Sequence, residues 1–385
     1  MGVDPGANGE VPFARLSHVH FARLFLTPPD PVHLVYMSDV DGTAERHLAD
    51  LVDVAGAGLD GVFGHCAGWP AGRGDPERLH FLLQHQARPA AAYVNTVGRT
   101  VRQVVEERRL RAAIEQFLDQ AQDGLPDDPL YLRAAVQAFV QARPELAWAL
   151  APVRSGATAR LGRRLRVAAV VVVLLVLLPI LLAVAPVYLL LLLLHESRDV
   201  PISDKPDPAR MAEIDAFEDR YVQNAFNAVS PIKPGWLRAL TTRLTLGATG
   251  FVARNVYDRG GLIGLETIHF FRLVLLDSGR LMFGSTFDGS LESYMDDFVG
   301  RIARELNAIF SNAVGYPRTR LLLFGGAERE QEFKNYVRVR QVPVPVFYSA
   351  YPDLTALNVA NNAAVRAGLS GRMSKDQATA WLARL

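Results

Sequence analysis

The chain has 385 residues, 50% hydrophobic and 21% charged, which excludes whole-chain disorder and gives enough length for two domains with connectors. Lys+Arg of 41 against Asp+Glu of 40 leave a net charge of +1, without the basic excess that nucleic-acid binding needs, so no nucleic-acid partner is expected. The single cysteine, Cys66, excludes an internal disulfide framework and a Cys-based zinc or iron–sulfur centre.

In chain order, residues 1–12 are rich in Gly and Pro and read as a loose start, without the basic and apolar pattern of a secretory signal. Residues 13–115 then form the first of two similar segments. HVHFARLFL (18–26) matches TIHFFRLVL (267–275), so that His20, Phe21, Arg23 and Leu24 recur as His269, Phe270, Arg272 and Leu273. Residues 34–70 align without a gap with 281–317 and share 11 identities in 37 positions, a density that decides for duplication over chance. A looser match sets AYVNTVGRTVRQVVEERRLRA, ending at Ala112, against FYSAYPDLTALNVANNAAVRA, ending at Ala367.

Residues 116–265 separate the copies. A helical stretch over 115–151 leads to residues 167–194, VAAVVVVLLVLLPILLAVAPVYLLLLLL, an uncharged run longer than the ~20 residues that cross a bilayer core. Arg154, Arg160, Arg163, Arg164 and Arg166 precede the run, while Glu196, Arg198, Asp199, Asp204 and Lys205 follow it, which places the arginines in the cytoplasm. Pro179 and Pro186 break the run into legs too short to cross separately, so it reads as a re-entrant hairpin with both copies cytoplasmic; the rival is a kinked single crossing. A helix near Pro208 and another through KPGWLRALTTRLTLGATGFVARNVY, with Trp236 as an interfacial anchor, complete the insertion.

Within the second copy, residues 266–385, HFFRLVLL and RLMFGSTF read as strands joined by a turn at Asp277-Ser278-Gly279. Ser290 is placed to cap a helix in which Leu291, Tyr294, Met295, Phe298, Val299 and Ile302 share a face. LNAIFSNA reads as a third strand, AEREQEFKNYVRVRQ as a helix, VPVPVFYSAY as a fourth strand and residues 354–369 as a closing helix. The order ββαβαβα gives an α+β fold: two ferredoxin-like repeats forming one pseudo-dimeric barrel, plus a helical membrane-anchoring insertion.

Two such units in one chain resemble the dimeric α+β barrel superfamily, distantly the dye-decolorising peroxidases and small monooxygenases. Dye-decolorising peroxidases carry Gly-x-x-Asp-Gly over the haem, and this chain has Ser-x-x-Asp-Gly at 38–42 and 285–289, with the first glycine displaced. The resemblance implies haem or another redox centre with His269, Asp288 and Arg272, or their counterparts His20, Asp41 and Arg23, around it. On the residues alone, the histidines equally suit half-buried structural positions, the arginines ion pairs, and the aspartates turn residues capping the next helix. Strand alternation puts His269 and Phe271 on one face and Phe270 and Arg272 on the other. Asn307, Ser311, Asn312, Tyr316 and Arg318, with Tyr348 and Tyr351 on the next strand, read as a pocket rim that binds substrate, and equally as a plain solvated loop. The expected function is a membrane-anchored oxidoreductase, peroxidase- or monooxygenase-like, acting on a lipophilic small molecule; the alternative is a non-catalytic membrane-anchored module that binds lipid or protein.

Overall fold

The computed structural model describes residues 4–29, 31–121, 126–152, 157–202, 205–257 and 264–385. Arg154 and Asp204 lie outside the described residues.

Apolar, β-branched and aromatic residues build the first hairpin, β1 (Val19–Leu26) and β2 (Leu34–Val40). Thr43 accepts from the Arg46 N–H and starts α1 (Ala44–Ala55), followed by α2 (Gly58–Phe63), α3 (Asp75–Gln84) and β3 (Ala91–Val94). Next come α4 (Val101–Ala121), α5 (Pro129–Gln141), the long α6 (Ala157–Ser197) and α7 (Pro208–Asp215), capped by Asp207. β4 (Gln223–Pro231) and α8 (Trp236–Asn255) precede a second hairpin, β5 (Ile268–Leu276) and β6 (Arg280–Asp288). Gly279 turns that hairpin at φ 72°, a conformation that favours glycine. Ser290 caps α9 (Leu291–Phe310); the short ribbon β7 (Thr319–Arg320) and β8 (Phe324–Gly325), α10 (Glu330–Arg340), β9 (Val346–Ser349), α11 (Ala356–Gly368) and α12 (Lys375–Leu382) close the chain.

The result is an α+β chain with small antiparallel sheets, ordered β2-β1-β9 and β3-β5-β6-β4. Each main sheet borrows an edge strand from the other half of the sequence. β9 pairs with β1, placing Phe21 opposite Ser349, and β3 pairs with β5, placing Tyr93 opposite Phe271. The sheets also pack on each other. One apolar cluster joins Phe21, Val104, Phe270, Tyr351 and Val359, and another joins Phe25, Met37, Val229, Val274 and Met282. A Cβ on Gly284 would meet Met37 Cε at 2.8 Å, so the missing side chain lets the two sheets approach.

Four expectations are corrected. LNAIFSNA is no strand: residues through Phe310 belong to α9, because Leu306 and Phe310 continue the helical spacing of Phe298 and Ile302. β4, unforeseen, supplies the outer strand beside β6, and its run QNAFNAVSP hides its period in small polar residues. Residues 4–12 are held rather than loose: Val11 is buried, and the Ala14 N–H donates to the Gly6 carbonyl. The apolar run forms one uninterrupted helix through Pro179 and Pro186 instead of a hairpin. Each proline forfeits one backbone bond, whereas a reversal within lipid would expose several. The helix is long and apolar enough to cross a membrane, and its most apolar stretch is exposed.

Candidate functional site

The pairing between β1 and β2 shifts register at His20, and that between β5 and β6 shifts at His269. Such an irregularity re-aims a side chain, and it overturns the alternation expected for this stretch. His269 turns to the side of Phe270 and Arg272: its ring centre lies 5.3 Å from Phe21 and 6.4 Å from Tyr351, inside the contact between the sheets. His20 does the same, 5.5 Å from Phe270 and 5.7 Å from Tyr351.

Each histidine meets the aspartate at the end of the neighbouring strand. His269 Nε2 lies 2.7 Å from Asp288 Oδ1, and His20 Nε2 lies 3.1 Å from Asp41 Oδ1. The second carboxylate oxygen accepts a backbone N–H from the first turn of a helix, Ala356 at 2.7 Å for Asp288 and Val101 at 2.9 Å for Asp41. A helix N-terminus favours this negative charge. Burial works to raise the Asp41 carboxyl, but the bonds from His20 and Val101 outweigh it and hold the group below the usual carboxylate range.

The pairs differ at the outer ring nitrogen. Tyr351 lies with its hydroxyl 2.7 Å from His20 Nδ1. Since Asp41 accepts, a neutral His20 carries its proton on Nε2 and Tyr351 donates to Nδ1. Burial first, then the carboxylates Asp39, Asp41 and Asp288, keep the Tyr351 hydroxyl protonated well above its ordinary range. In the second pair, the residue matched to Tyr351 is Thr96, and both Thr96 Oγ1 and His269 Nδ1 are buried without a hydrogen-bond partner. The arrangement can hold and pass a proton along tyrosine, histidine and carboxylate. It does not suit haem. An axial ligand must offer a nitrogen to an open face for the macrocycle, whereas both His20 nitrogens are engaged and the buried His269 ring is walled by Phe21 and Tyr351.

The two arginines cross between the sheets rather than joining the histidines. Arg23 donates to the Ser285 carbonyl at 2.8 Å, to Asn227 Oδ1 at 3.2 Å and to the Thr286 hydroxyl. Arg272 donates to the Ser38 carbonyl and pairs with Asp39 at 2.7 Å. Matched arginines thus bind matched serine carbonyls, each in the other half.

The remaining polar residues singled out from sequence do not form one rim. Asn307 binds the Leu323 and Gly325 carbonyls and the Ala327 N–H, and accepts from the Tyr316 hydroxyl at 2.8 Å. Lys233 donates to the Ser311 carbonyl, Arg238 to Asn312 Oδ1, and Arg318 to the Asp199 carbonyl. The contacts of Asn307, Ser311 and Asn312 fasten α8 and the neighbouring loops to the end of α9, while Arg318 ties its loop to the segment after α6. Tyr348 stacks near Phe13, 5.6 Å between ring centres, while Tyr351 joins the histidines.

A cavity of about 280 Å³ lies between α8 and α9 over the second sheet, lined among others by Ala248, Val252, Phe271, Phe283, Ile302 and Ile309. Its threonines offer a ligand little, because Thr245 and Thr249 donate to the carbonyls of Thr242 and Thr245. Glu305, Ala248 and Val252 are exposed and mark the mouth. Sequence reading missed this site. Its trace in the sequence is the run of small residues Thr245, Ala248, Thr249 and Ala253 on the lining face of α8.

Fold and cavity together define an α+β protein with, among the described residues, one long exposed apolar helix and an apolar cavity. Comparison with family models, curated proteins and solved structures gives no significant match.

Proposed function

We propose that the chain is a membrane-associated protein whose body, two ferredoxin-like units sharing a pseudo-dimeric barrel core, takes up a lipophilic molecule between α8 and α9. The fold part of this reading is supported by the equivalent bonds of Arg23 and Arg272 and by the borrowed strands β9 and β3. The ligand class rests on one observation, a cavity whose walls are apolar and whose threonine hydroxyls are already bonded to their own helix. Such walls reward removal of hydrocarbon from water and give no return for the desolvation of a polar group. Glu305 at the mouth suits a hydroxyl or amine at the ligand's polar end. Binding of a fluorescent long-chain fatty alcohol to purified protein tests this: saturable binding is expected, weakened at least tenfold by Ala308→Trp, which fills the cavity. Equal affinity in the variant rejects the site.

The chain Tyr351, His20, Asp41 favours a second reading, an oxidoreductase that uses this relay as its proton store without haem. A Soret absorption band in purified protein would overturn the argument against haem.

A further inference from the structure

Both ends of α6 are tied to one body. At its C-terminal end Leu192 is 1% exposed, Tyr188 hydrogen-bonds Thr241 at 2.9 Å, and Glu196 accepts from the Thr319 hydroxyl and the N–H groups of Leu321 and Leu322. Before its N-terminal end, Ala149 is fully buried in a cluster with Leu110, Val136, Val365 and Trp381. That cluster holds residues from both halves of the sequence, and the borrowed strands hold the same halves together.

The lengths then decide the orientation. The eight steps from Ala149 to the start of α6 at Ala157 reach at most about 29 Å when extended. The helix itself runs about 58 Å from Ala157 to Glu196. Were it to stand along the bilayer normal with its docked end at one face, Ala157 would lie beyond the far face. The tether back to Ala149 would have to pass the hydrocarbon core of about 30 Å and the overhang as well. It is too short.

We infer that α6 lies along the plane of the membrane, sunk in one leaflet, and that α8 rests on the same leaflet beside it. Trp236, Leu240, Leu244, Ala248 and Val252 form an exposed apolar stripe on α8 that winds, about 40° per four-residue step, from the outer face toward the cavity mouth, and the Tyr188–Thr241 bond ties α8 to α6. Exposed Arg243 and Arg254 on the same helix suit anionic headgroups. Shallow immersion also brings interfacial water near the carbonyls of Leu175 and Leu182, which lose their helical donors to Pro179 and Pro186. Because Ala248 and Val252 belong both to the stripe and to the cavity mouth, the lipophilic molecule enters the cavity from that leaflet.

The inference rests on α6 being embedded in lipid, and the experiment separates the two. In a Cys66→Ala background, single cysteines at the exposed positions Arg164→Cys, Ser197→Cys and Asp376→Cys are treated with a membrane-impermeant maleimide in sealed vesicles of one orientation. All three are expected to react, or all to be protected, together. Opposite outcomes for Arg164→Cys and Ser197→Cys would establish a crossing and overturn the in-plane helix. Val176→Cys is expected to react only after detergent; reaction without detergent would remove the membrane premise instead.

Discussion

Tyr351 donates its hydroxyl to Nδ1 of His20 across 2.7 Å, from a residue 331 positions away in sequence. The bond is possible because β9, which ends two residues before Tyr351, is an edge strand of the sheet that contains His20. Tyr351→Phe should therefore leave a buried nitrogen without its donor and cost about 1–3 kcal/mol. Urea unfolding measures this; a cost no larger than for Tyr348→Phe would contradict the assignment.

Arg23 is fully buried, and burial pulls its guanidinium down to about 10. Its bonds fan out to a carbonyl, an amide and a hydroxyl on the facing sheet, a pattern that a single ammonium cannot reproduce. Arg23→Lys is expected to destabilise by about 2–4 kcal/mol, and Arg272→Lys by less, since Arg272 is partly exposed. Thermal melts of the two variants rank them.

Met37 and Gly284 occupy matched positions in the two halves and meet between the sheets. Gly284→Ala should cost about 1–3 kcal/mol by overpacking. Met37→Ala should leave a void, and the double variant should lose less than the two single losses combined, since the added methyl fills part of that void. Strict additivity would mean that the residues do not touch.

His47 is buried, hydrogen-bonded to Tyr36 at 2.8 Å and to His18 at 2.9 Å. Burial first, then the neighbouring His18, lowers its pKa to about 4. The unfolded chain binds this proton near pH 6.5, so the contribution of neutral His47 is complete above that value. It is lost as the pH falls from 6.5 toward 4, by roughly 3 kcal/mol at most. Urea midpoints at pH 7.5 and 4.5 should differ more in the wild type than in His47→Gln; an equal difference would refute the contribution.

Local chemistry alone determined much of this protein. The hairpin turn at Gly279, the caps Ser290 and Asp207, and the apolar character of residues 167–194 each follow from residues within a few positions of one another, whereas the continuity of that run through Pro179 and Pro186 does not. The matched His-x-x-Arg segments and Asp-Gly turns were equally visible, because identities between two stretches of one sequence need no coordinates. Tertiary structure decided the rest. Period-two alternation assumes an unbroken ladder, so the register shifts at His20 and His269 could not be read from composition, although they decide which face carries the histidines. The strand spelled LNAIFSNA lost to the helix because packing rewards the face that Leu306 continues, not local β preference. Which sheet β3 and β9 join depends on contacts between residues more than a hundred positions apart, and the space left between α8 and α9 depends on how two separate helices settle over one sheet. A one-dimensional pattern sets the faces of each element but not the partner that each face finds, because the energy of that choice lies in surfaces that exist only after folding.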